Sequence, residues 1–270
     1  MTRRLLVFVA ALLALSACHS GPRLVIVHTN DTHSHFEPLR TGPQAGHGGV
    51  IERAAFIDSI RNVYGDERVL LLHAGDFSQG TSYFTELGGR LEPAIINDMR
   101  YDCVTLGNHE FDNDIEALTE RLAMLENTFV VSANIDVSQF DLSDYVSPYA
   151  IVERGGMKIG IIGLESDLST NVSATISSRI PQLGNVEVTN KWAEYLHSVE
   201  KCDMVILLSH LGYDNDQALI PETSHVDLVI GGHSHTFVNG FIYVRDRDGH
   251  DVPIITDGCW GLEMGVITVR

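Results

Sequence analysis

Short polar stretches in this chain hold aspartate, asparagine and histidine side chains whose types suit metal binding. The candidate ligands are Asp31, His33, Asp76, Asn108, His210, His233 and His235. Carboxylate, imidazole and amide groups without thiolate suit Zn²⁺, Mn²⁺, Fe or Mg²⁺, and do not suit Cu(I) or an iron–sulfur cluster. Seven ligands are too many for one tetrahedral ion that keeps an open position, but they fit two ions that share a carboxylate. Two ions about 3.5–4 Å apart can clamp a phosphoryl group and generate hydroxide at neutral pH.

Each of these stretches comes after an apolar run that is typical of a buried β-strand. The five runs are residues 24–27, 69–72, 102–106, 204–208 and 226–230. A single histidine at a strand end would more often have a structural role, but five such endings are hard to attribute to chance. In open α/β sheets, sites form beyond the carboxyl ends of the strands. We therefore expect these residues to meet at one edge of a sheet.

The remaining segments predict an α/β fold with a largely parallel sheet. Apolar residues recur at helical spacing within 50–60, 92–99, 115–125 and 188–199,. A further strand is predicted at 129–133, and a hairpin is predicted around Gly155-Gly156,. The tail from 241 to 269 predicts an antiparallel addition with a turn near Asp248-Gly249. Strands that alternate with helices favour one domain, which we place at residues 18–270.

The composition limits the class of ligand. The 270 residues include 18 Lys and Arg against 36 Asp and Glu, which gives a net charge of −18. A surface this acidic argues against a nucleic-acid polymer as partner. A small anionic substrate is still compatible with the sequence, because bound metal cations can supply positive charge locally.

The N-terminus is typical of a targeting segment. Arg3 and Arg4 precede an apolar stretch, Leu5 to Leu15, that is too short to span a bilayer,. The sequence Leu15-Ser16-Ala17-Cys18 resembles the lipobox of bacterial lipoproteins. This predicts a signal peptide at residues 1–17 and lipidation of Cys18, with plain secretion as the alternative. The absence of aspartate after Cys18 favours the outer membrane or a periplasm-facing location in the bacterial cell envelope. The membrane would then be contacted only through the lipid anchor.

The polar motifs together resemble those of the calcineurin-like metallophosphoesterases. They are Asp31-x-His33, Gly75-Asp76, Gly107-Asn108-His109-Glu110, His210 and Gly232-His233-Ser234-His235. Two of them, Thr29-Asn30-Asp31-Thr32-His33 and Gly107 to Asp112, narrow the resemblance to the N-terminal domain of 5'-nucleotidases. The resemblance spans residues 24 to about 269 and implies a four-layer α/β/β/α sandwich.

The resemblance also implies a role for each motif residue. One metal would be held by Asp31, His33, Asp76 and His235, and the other by Asp76, Asn108, His210 and His233, with Asp76 bridging. Asn108 and His109 would contact the substrate phosphate. His109 would stabilise charge or protonate the leaving oxygen, and Asp112 would orient its ring. The implied reaction is hydrolysis of phosphate monoesters, foremost nucleoside 5'-monophosphates, by in-line attack of a metal-bound hydroxide.

Several alternatives stay open at this point. Full-length 5'-nucleotidases carry a C-terminal domain that stacks on the nucleobase, and we expect this domain to be absent from the chain. A separately encoded partner could supply it, or the enzyme could act alone on smaller phosphoesters. The same metals could serve a cyclic-nucleotide phosphodiesterase or a nucleotide-sugar hydrolase. A non-catalytic, envelope-anchored binding subunit is the further alternative.

Other polar residues are expected to have ordinary roles. Glu110 is expected to be solvated or to support a metal ligand indirectly. Surface or loop positions are predicted for six further histidines, which are His35, His47, His73, His197, His225 and His250.

Overall fold

The computed structural model describes residues 21–270. The predicted signal peptide and Cys18 lie outside this range. The first half of the described chain contains β1 (Leu24–Thr29), α1 (Val50–Tyr64), β2 (Val69–His73), α2 (Ser82–Leu87), α3 (Leu91–Met99), β3 (Cys103–Thr105), α4 (Ile115–Leu122), β4 (Phe129–Val131) and β5 (Val146–Ser147). The second half contains β6 (Tyr149–Arg154), β7 (Met157–Leu164), α5 (Leu168–Asn171), α6 (Ala174–Ser177), α7 (Asn185–Ser198), β8 (Met204–Ser209), α8 (Tyr213–Leu219), β9 (Leu228–Gly231), β10 (Ile242–Arg245), β11 (Asp251–Ile255) and β12 (Gly265–Val269).

The strands form two six-stranded sheets. The first has the order β12-β1-β2-β3-β4-β5, and the second has the order β10-β11-β9-β8-β7-β6. Strands β1 to β5 run parallel, as do β7, β8, β9 and β11. Antiparallel strands lie only at the edges of these two sheets, where β12 pairs with β1, β10 with β11 and β6 with β7. The C-terminal segment, predicted as one antiparallel addition, therefore contributes to both sheets. Its hairpin of β10 and β11 lies at the edge of the second sheet, and β12 lies at the edge of the first.

Alternating side chains on the strands build the layers. On β1, Leu24 and Ile26 pack between the two sheets, whereas Val25 and Val27 pack towards the helices of the first half,. Ile57 of α1 and Leu118 of α4 belong to the same cluster as Val25 and Val27. On the far side, residues of α7 and α8 cover the second sheet. The predicted α/β/β/α sandwich is confirmed.

Helix α4 shows how local sequence fixes an element near the site. The Asp114 carboxylate accepts a hydrogen bond of 2.7 Å from the backbone N–H of Ala117, which caps the first turn,. Ile115, Leu118 and Leu122 are buried on one face of this helix. Burying a side chain of this size stabilises the fold by about 1.5–3 kcal/mol. The cap and this face anchor the short 3₁₀ turn at Asn108–Phe111 that precedes the helix.

The described residues include no helix with the length and apolar character needed to cross a bilayer.

Candidate metal centre

The carboxyl ends of five strands carry the seven predicted ligands. Strands β1, β2 and β3 of the first sheet lead into Asp31 and His33, into Asp76 and into Asn108. Strands β8 and β9 of the second sheet lead into His210 and into His233 and His235. The site thus lies at the edge where the two sheets present their strand ends, as the strand pattern predicts.

Asp31, His33 and His235 form the first cluster of ligand atoms. Nε2 of His33 lies 3.7 Å from Oδ1 of Asp31, and Nε2 of His235 lies 3.4 Å from the same oxygen. The two Nε2 atoms are 2.9 Å apart. Three potential donors that face one another at these distances leave room for one shared cation.

Asp76, His210 and His233 form the second cluster. Nε2 of His210 lies 3.0 Å from Oδ2 of Asp76. Oδ1 of Asn108 is buried and has no hydrogen-bond partner among the described residues. A buried carbonyl oxygen without a partner is costly unless a ligand satisfies it.

Asp76 connects the two clusters. Its Oδ2 is 3.8 Å from Nε2 of His33 and 3.0 Å from Nε2 of His210. Its Oδ1 accepts a hydrogen bond of 2.9 Å from the backbone N–H of His109. This placement fits the bridging role predicted for Asp76.

Backbone carbonyls fix which histidine nitrogen faces the clusters. Nδ1 of His33 lies 3.1 Å from the carbonyl oxygen of Gln79, and Nδ1 of His210 lies 2.7 Å from that of Ala74. A carbonyl oxygen can only accept, so each Nδ1 carries the proton and donates it. The Nε2 lone pairs are then available to a cation, which is the usual arrangement behind metal-binding histidines.

The electrostatics of the clusters favour a positive charge between the ligands. Burial lowers the pKa of His210, but the carboxylates of Asp76 and Asp31 outweigh burial and raise it well above its usual range. Interactions with Asp31 and Cys259 raise the pKa of His235 to about 10. Burial lowers the pKa of His33 and His233. A metal ion can supply the positive charge that protons supply in its absence.

Backbone strain is concentrated at the predicted ligands. Five of the seven have a left-handed backbone, with φ of 48° at Asp31, 47° at His33, 54° at Asp76, 74° at His233 and 52° at His235. Such conformations cost non-glycine residues about 1–3 kcal/mol each and cluster at functional sites. The left-handed backbone allows nearby residues of one short loop, such as Asp31 and His33, to contribute to the same site.

Gly107 is required because its backbone passes very close to the ligand side chains. A Cβ atom at this position would lie 2.3 Å from Oδ1 of Asp76 and 2.7 Å from Nε2 of His210. Only glycine allows the backbone after β3 to pass this close to the two clusters.

His109 and Asp112 form a pair at the rim of the site. Nδ1 of His109 lies 2.8 Å from Oδ2 of Asp112, and both side chains are partly exposed. The hydrogen bond to Asp112 raises the pKa of His109, while its partial burial lowers it. The ring of His109 packs edge-on to that of His33, with centroids 5.2 Å apart. A ring nitrogen of His109 thus lies close to the ligand atoms of His33 in the first cluster and Asp76 in the second.

Glu110 has a structural role that the sequence only partly indicated. It is fully buried, so solvation, the first of the two expectations for it, is wrong. Its carboxylate accepts three backbone N–H hydrogen bonds, from Asp76 at 2.9 Å, Ser78 at 2.9 Å and Gly107 at 2.6 Å. Glu110 thus ties the loop after β2 to the loop after β3, and these loops carry Asp76 and Asn108.

His73 also differs from its prediction. It ends strand β2, is 2% exposed and lies 3.0 Å from Oγ1 of Thr32 through Nε2, so the predicted surface or loop role is wrong. The apolar run at residues 69–72 predicted the strand, but it did not indicate whether the side chain at its end would face the core or solvent. Burial is also the main reason that the pKa of His73 falls to about 3. His47, His197 and His250 are exposed and His35 and His225 are half-buried.

Comparison with known proteins supports the same family. The sequence model of the family described as Calcineurin-like phosphoesterase matches residues 24–237. The snake venom 5'-nucleotidase of Crotalus adamanteus is 34% identical over 280 residues, which cover 95% of this chain and 46% of that protein. The chain thus spans about half the length of this relative.

Solved structures show the same similarity in three dimensions. The 5'-nucleotidase precursor from Thermus thermophilus superposes with a TM-score of 0.82 at 34% identity, covering 90% of this chain and 50% of that one. The NAD nucleotidase of Haemophilus influenzae superposes with a TM-score of 0.81 at 28% identity, covering 90% of this chain and 46% of the other. The chain belongs to the calcineurin-like phosphoesterase family.

Proposed function

We propose that this chain is a two-metal phosphatase that hydrolyses phosphate monoesters, foremost nucleoside 5'-monophosphates. The observation that carries the proposal is the convergence of seven ligand side chains from five strand ends, with Asp76 between the two clusters. The family uses divalent metals, and the number and sharing of the ions are part of this proposal.

The donor groups fit divalent metals on three counts. Oδ1 of Asn108 is buried without a hydrogen-bond partner in the described part of the chain. Nε2 of His210 faces a carboxylate oxygen at 3.0 Å while its Nδ1 is engaged by a carbonyl. The oxygen and nitrogen donors match Zn²⁺, Mn²⁺, Fe and Mg²⁺. One metal would be held by Asp31, His33, Asp76 and His235, and the other by Asp76, Asn108, His210 and His233.

Each group would contribute a distinct part of the chemistry. Bound divalent ions would supply Lewis acidity to the phosphoryl group and to a water molecule. His109 would hold a proton at Nε2 for the oxygen of the leaving group, because Asp112 occupies its Nδ1. The raised pKa of His109 favours the protonated ring that a general acid requires,. Asn108 would contact the phosphate as well as the metal.

Similarity to longer proteins supports the choice of nucleotides. The Crotalus and Thermus relatives are named 5'-nucleotidases, and each is about twice the length of this chain. A second candidate is a nucleotide substrate with a larger leaving group, because the Haemophilus neighbour is named an NAD nucleotidase.

The test is hydrolysis of a panel of phosphate esters, with the products identified. The purified protein should release phosphate from 5'-AMP, lose this activity in EDTA and regain it with Mn²⁺ or Zn²⁺. Cyclic AMP, UDP-glucose and NAD are assayed beside it by chromatography of their nucleotide products, because the alternative esterases would convert them to AMP, UMP and AMP without releasing inorganic phosphate. A metal-loaded protein that hydrolyses none of these compounds would support the non-catalytic binding subunit instead.

Location in the cell envelope is a separate part of the proposal. It is supported by the sequence Leu15-Ser16-Ala17-Cys18 alone. Metabolic labelling with palmitate should mark the wild-type protein and not Cys18→Ala. An unlabelled wild-type protein in the culture medium or free periplasm would favour plain secretion.

A further inference from the structure

Asn30 lies between strand β1 and the first predicted metal ligand, and its side chain is almost completely buried. Only 2% of Asn30 is exposed. Its Nδ2 donates to Oδ2 of Asp31 at 2.7 Å and to the carbonyl oxygen of Gly258 at 2.6 Å. Its Oδ1 accepts from the backbone N–H of Asp257 at 2.9 Å. One amide thus joins Asp31 to a segment that lies more than 200 residues later in the chain.

These contacts give the two oxygens of the Asp31 carboxylate different partners. Oδ2 receives the Asn30 donor and the backbone N–H of His233, which lies 2.9 Å from it and 3.1 Å from Oδ1. Oδ1 is the oxygen that faces His33 and His235, at 3.7 Å and 3.4 Å. Asn30 therefore holds one oxygen while the other points into the first cluster.

The segment that accepts Asn30 is itself held firmly. Oδ2 of Asp257 lies 2.7 Å from Nδ1 of His28 and accepts from the backbone N–H of Gly265 at 2.8 Å. The backbone N–H of Trp260 donates to the carbonyl oxygen of Asp31 at 2.7 Å. His28 is completely buried on β1. The anchor of Asn30 is thus the loop between β11 and β12, which these contacts hold against β1, Asp31 and the start of β12.

We propose that Asn30 is a positioning residue, which sets the orientation of Asp31 and so the affinity of the metal held by Asp31, His33 and His235. The inference rests on the proposed two-metal function. Its physical basis is that a carboxylate with one oxygen already hydrogen-bonded presents the other in a single orientation. Groups that orient metal ligands in this way typically change metal affinity by about 10–100-fold when they are removed.

The chain offers a matched control in Asn190. Its Nδ2 likewise donates two hydrogen bonds, here to the backbone carbonyls of Val186 at 3.0 Å and Glu222 at 2.9 Å, and its Oδ1 accepts from the backbone N–H of Ser224 at 3.0 Å. Asn190 is half-buried and joins α7 to the segment before β9, away from the metal ligands. Asn30→Ala and Asn190→Ala therefore remove the same number of hydrogen bonds from the same kind of side chain.

The experiment measures Mn²⁺ binding to metal-free protein by equilibrium dialysis, with metal counted by mass spectrometry. Wild type should bind two ions, and Asn190→Ala should bind the same two ions with the affinities of wild type. Asn30→Ala should bind one ion as wild type does and the other about 10–100-fold more weakly. Asn30→Asp is the second variant, because it keeps the acceptor for Asp257 and places a negative oxygen against Asp31. It should weaken the same ion at least as much, and it decides the question if Asn30→Ala does not fold.

The outcomes separate the two proposals. Equal binding by Asn30→Ala, Asn30→Asp and wild type would overturn the role of Asn30 and leave the two-metal function standing. Uniform loss of both ions in Asn30→Ala and Asn190→Ala would show a general effect on folding and would also overturn it. A wild-type protein that binds no Mn²⁺ or Zn²⁺ would overturn the two-metal function itself.

Discussion

The Nδ1 atom of His109 lies 2.8 Å from Oδ2 of Asp112, three residues later in the same turn. This contact fixes the proton of the neutral ring on Nδ1 and leaves Nε2 as the nitrogen that can exchange a proton with a substrate. It also favours the charged ring, because the carboxylate stabilises the imidazolium. The pair combines orientation with a raised pKa of His109.

The first prediction concerns the pH dependence of turnover. A general acid is active when protonated, so a raised pKa of His109 extends activity to higher pH. Asp112→Asn removes the carboxylate that raises this pKa. The alkaline limb of the kcat profile should therefore move to lower pH. Asp58→Asn, an exposed change on α1 with the same effect on net charge, should leave the profile in place. An unchanged alkaline limb in Asp112→Asn would show that His109 is not the acid.

The second prediction separates two adjacent residues by their effects. His109→Ala should lower kcat by about 100- to 10,000-fold, the usual contribution of a positioned acid or base, while both metals are retained. Asn108→Ala should instead weaken metal binding, because it removes the buried Oδ1 that lacks another partner among the described residues. Metal content and kcat are measured on the same preparations. Loss of metal in His109→Ala, or full metal affinity in Asn108→Ala, would contradict this division of roles.

The third prediction concerns Glu110. Burial and the charge of Asp76 raise the pKa of Glu110 to about 8, so the comparison is made above this pH, where the wild-type carboxyl is ionised. Glu110→Gln then replaces one acceptor oxygen with an amide N–H that would face backbone donors. Leaving a buried donor unsatisfied costs about 1–3 kcal/mol, so the free energy of unfolding of the metal-free protein should fall by this amount. Denaturant titration gives the value. Glu116→Gln, on the exposed surface of α4, should change stability little,. Equal midpoints for the two variants would show that the three hydrogen bonds at Glu110 are not important for stability.

The fourth prediction concerns acid sensitivity. Burial lowers the pKa of His73 from 6.5 to about 3, so the folded protein disfavours the proton that the unfolded chain accepts below pH 6.5. The stabilising contribution of neutral His73 is thus present above pH 6.5 and is lost as the pH falls towards 3. His73→Gln cannot titrate, and its unfolding free energy should decline less steeply across this range, by up to about 1.4 kcal/mol per pH unit. Parallel pH profiles for the two proteins would refute this explanation. Exposed His47→Gln serves as the control.

Much of the fold could be predicted from the sequence because strand and helix patterns are local. The apolar runs before Asp31, Asp76 and His210 are true strands, and the helices within 50–60 and 115–125 are present. The hairpin at Gly155-Gly156 is confirmed by the pairing of β6 with β7. Membership of the two sheets was not predictable in this way, because pairing of β12 with β1 joins residues about 240 positions apart.

The residues that converge at the candidate site could be predicted from the sequence. The residues that hold them in place could not. Motif residues such as His33 and Asn108 are recognisable by their type and by their position after a strand. The groups that orient them, such as Glu110 and Asn30, act through hydrogen bonds to backbone atoms that no sequence pattern specifies. Buried His73 shows the same limit, since a histidine at a strand end has the same sequence pattern whether it faces the core or solvent.

The left-handed backbone at Asp31, His33, Asp76, His233 and His235 has an evolutionary consequence. Glycine adopts this conformation more readily, so selection for stability alone would favour glycine at these positions. Their presence marks a compromise between stability and activity, as is usual where function needs a strained conformation. A descendant of this chain that no longer needed the site would be expected to lose these residues first and to become more stable as it did so.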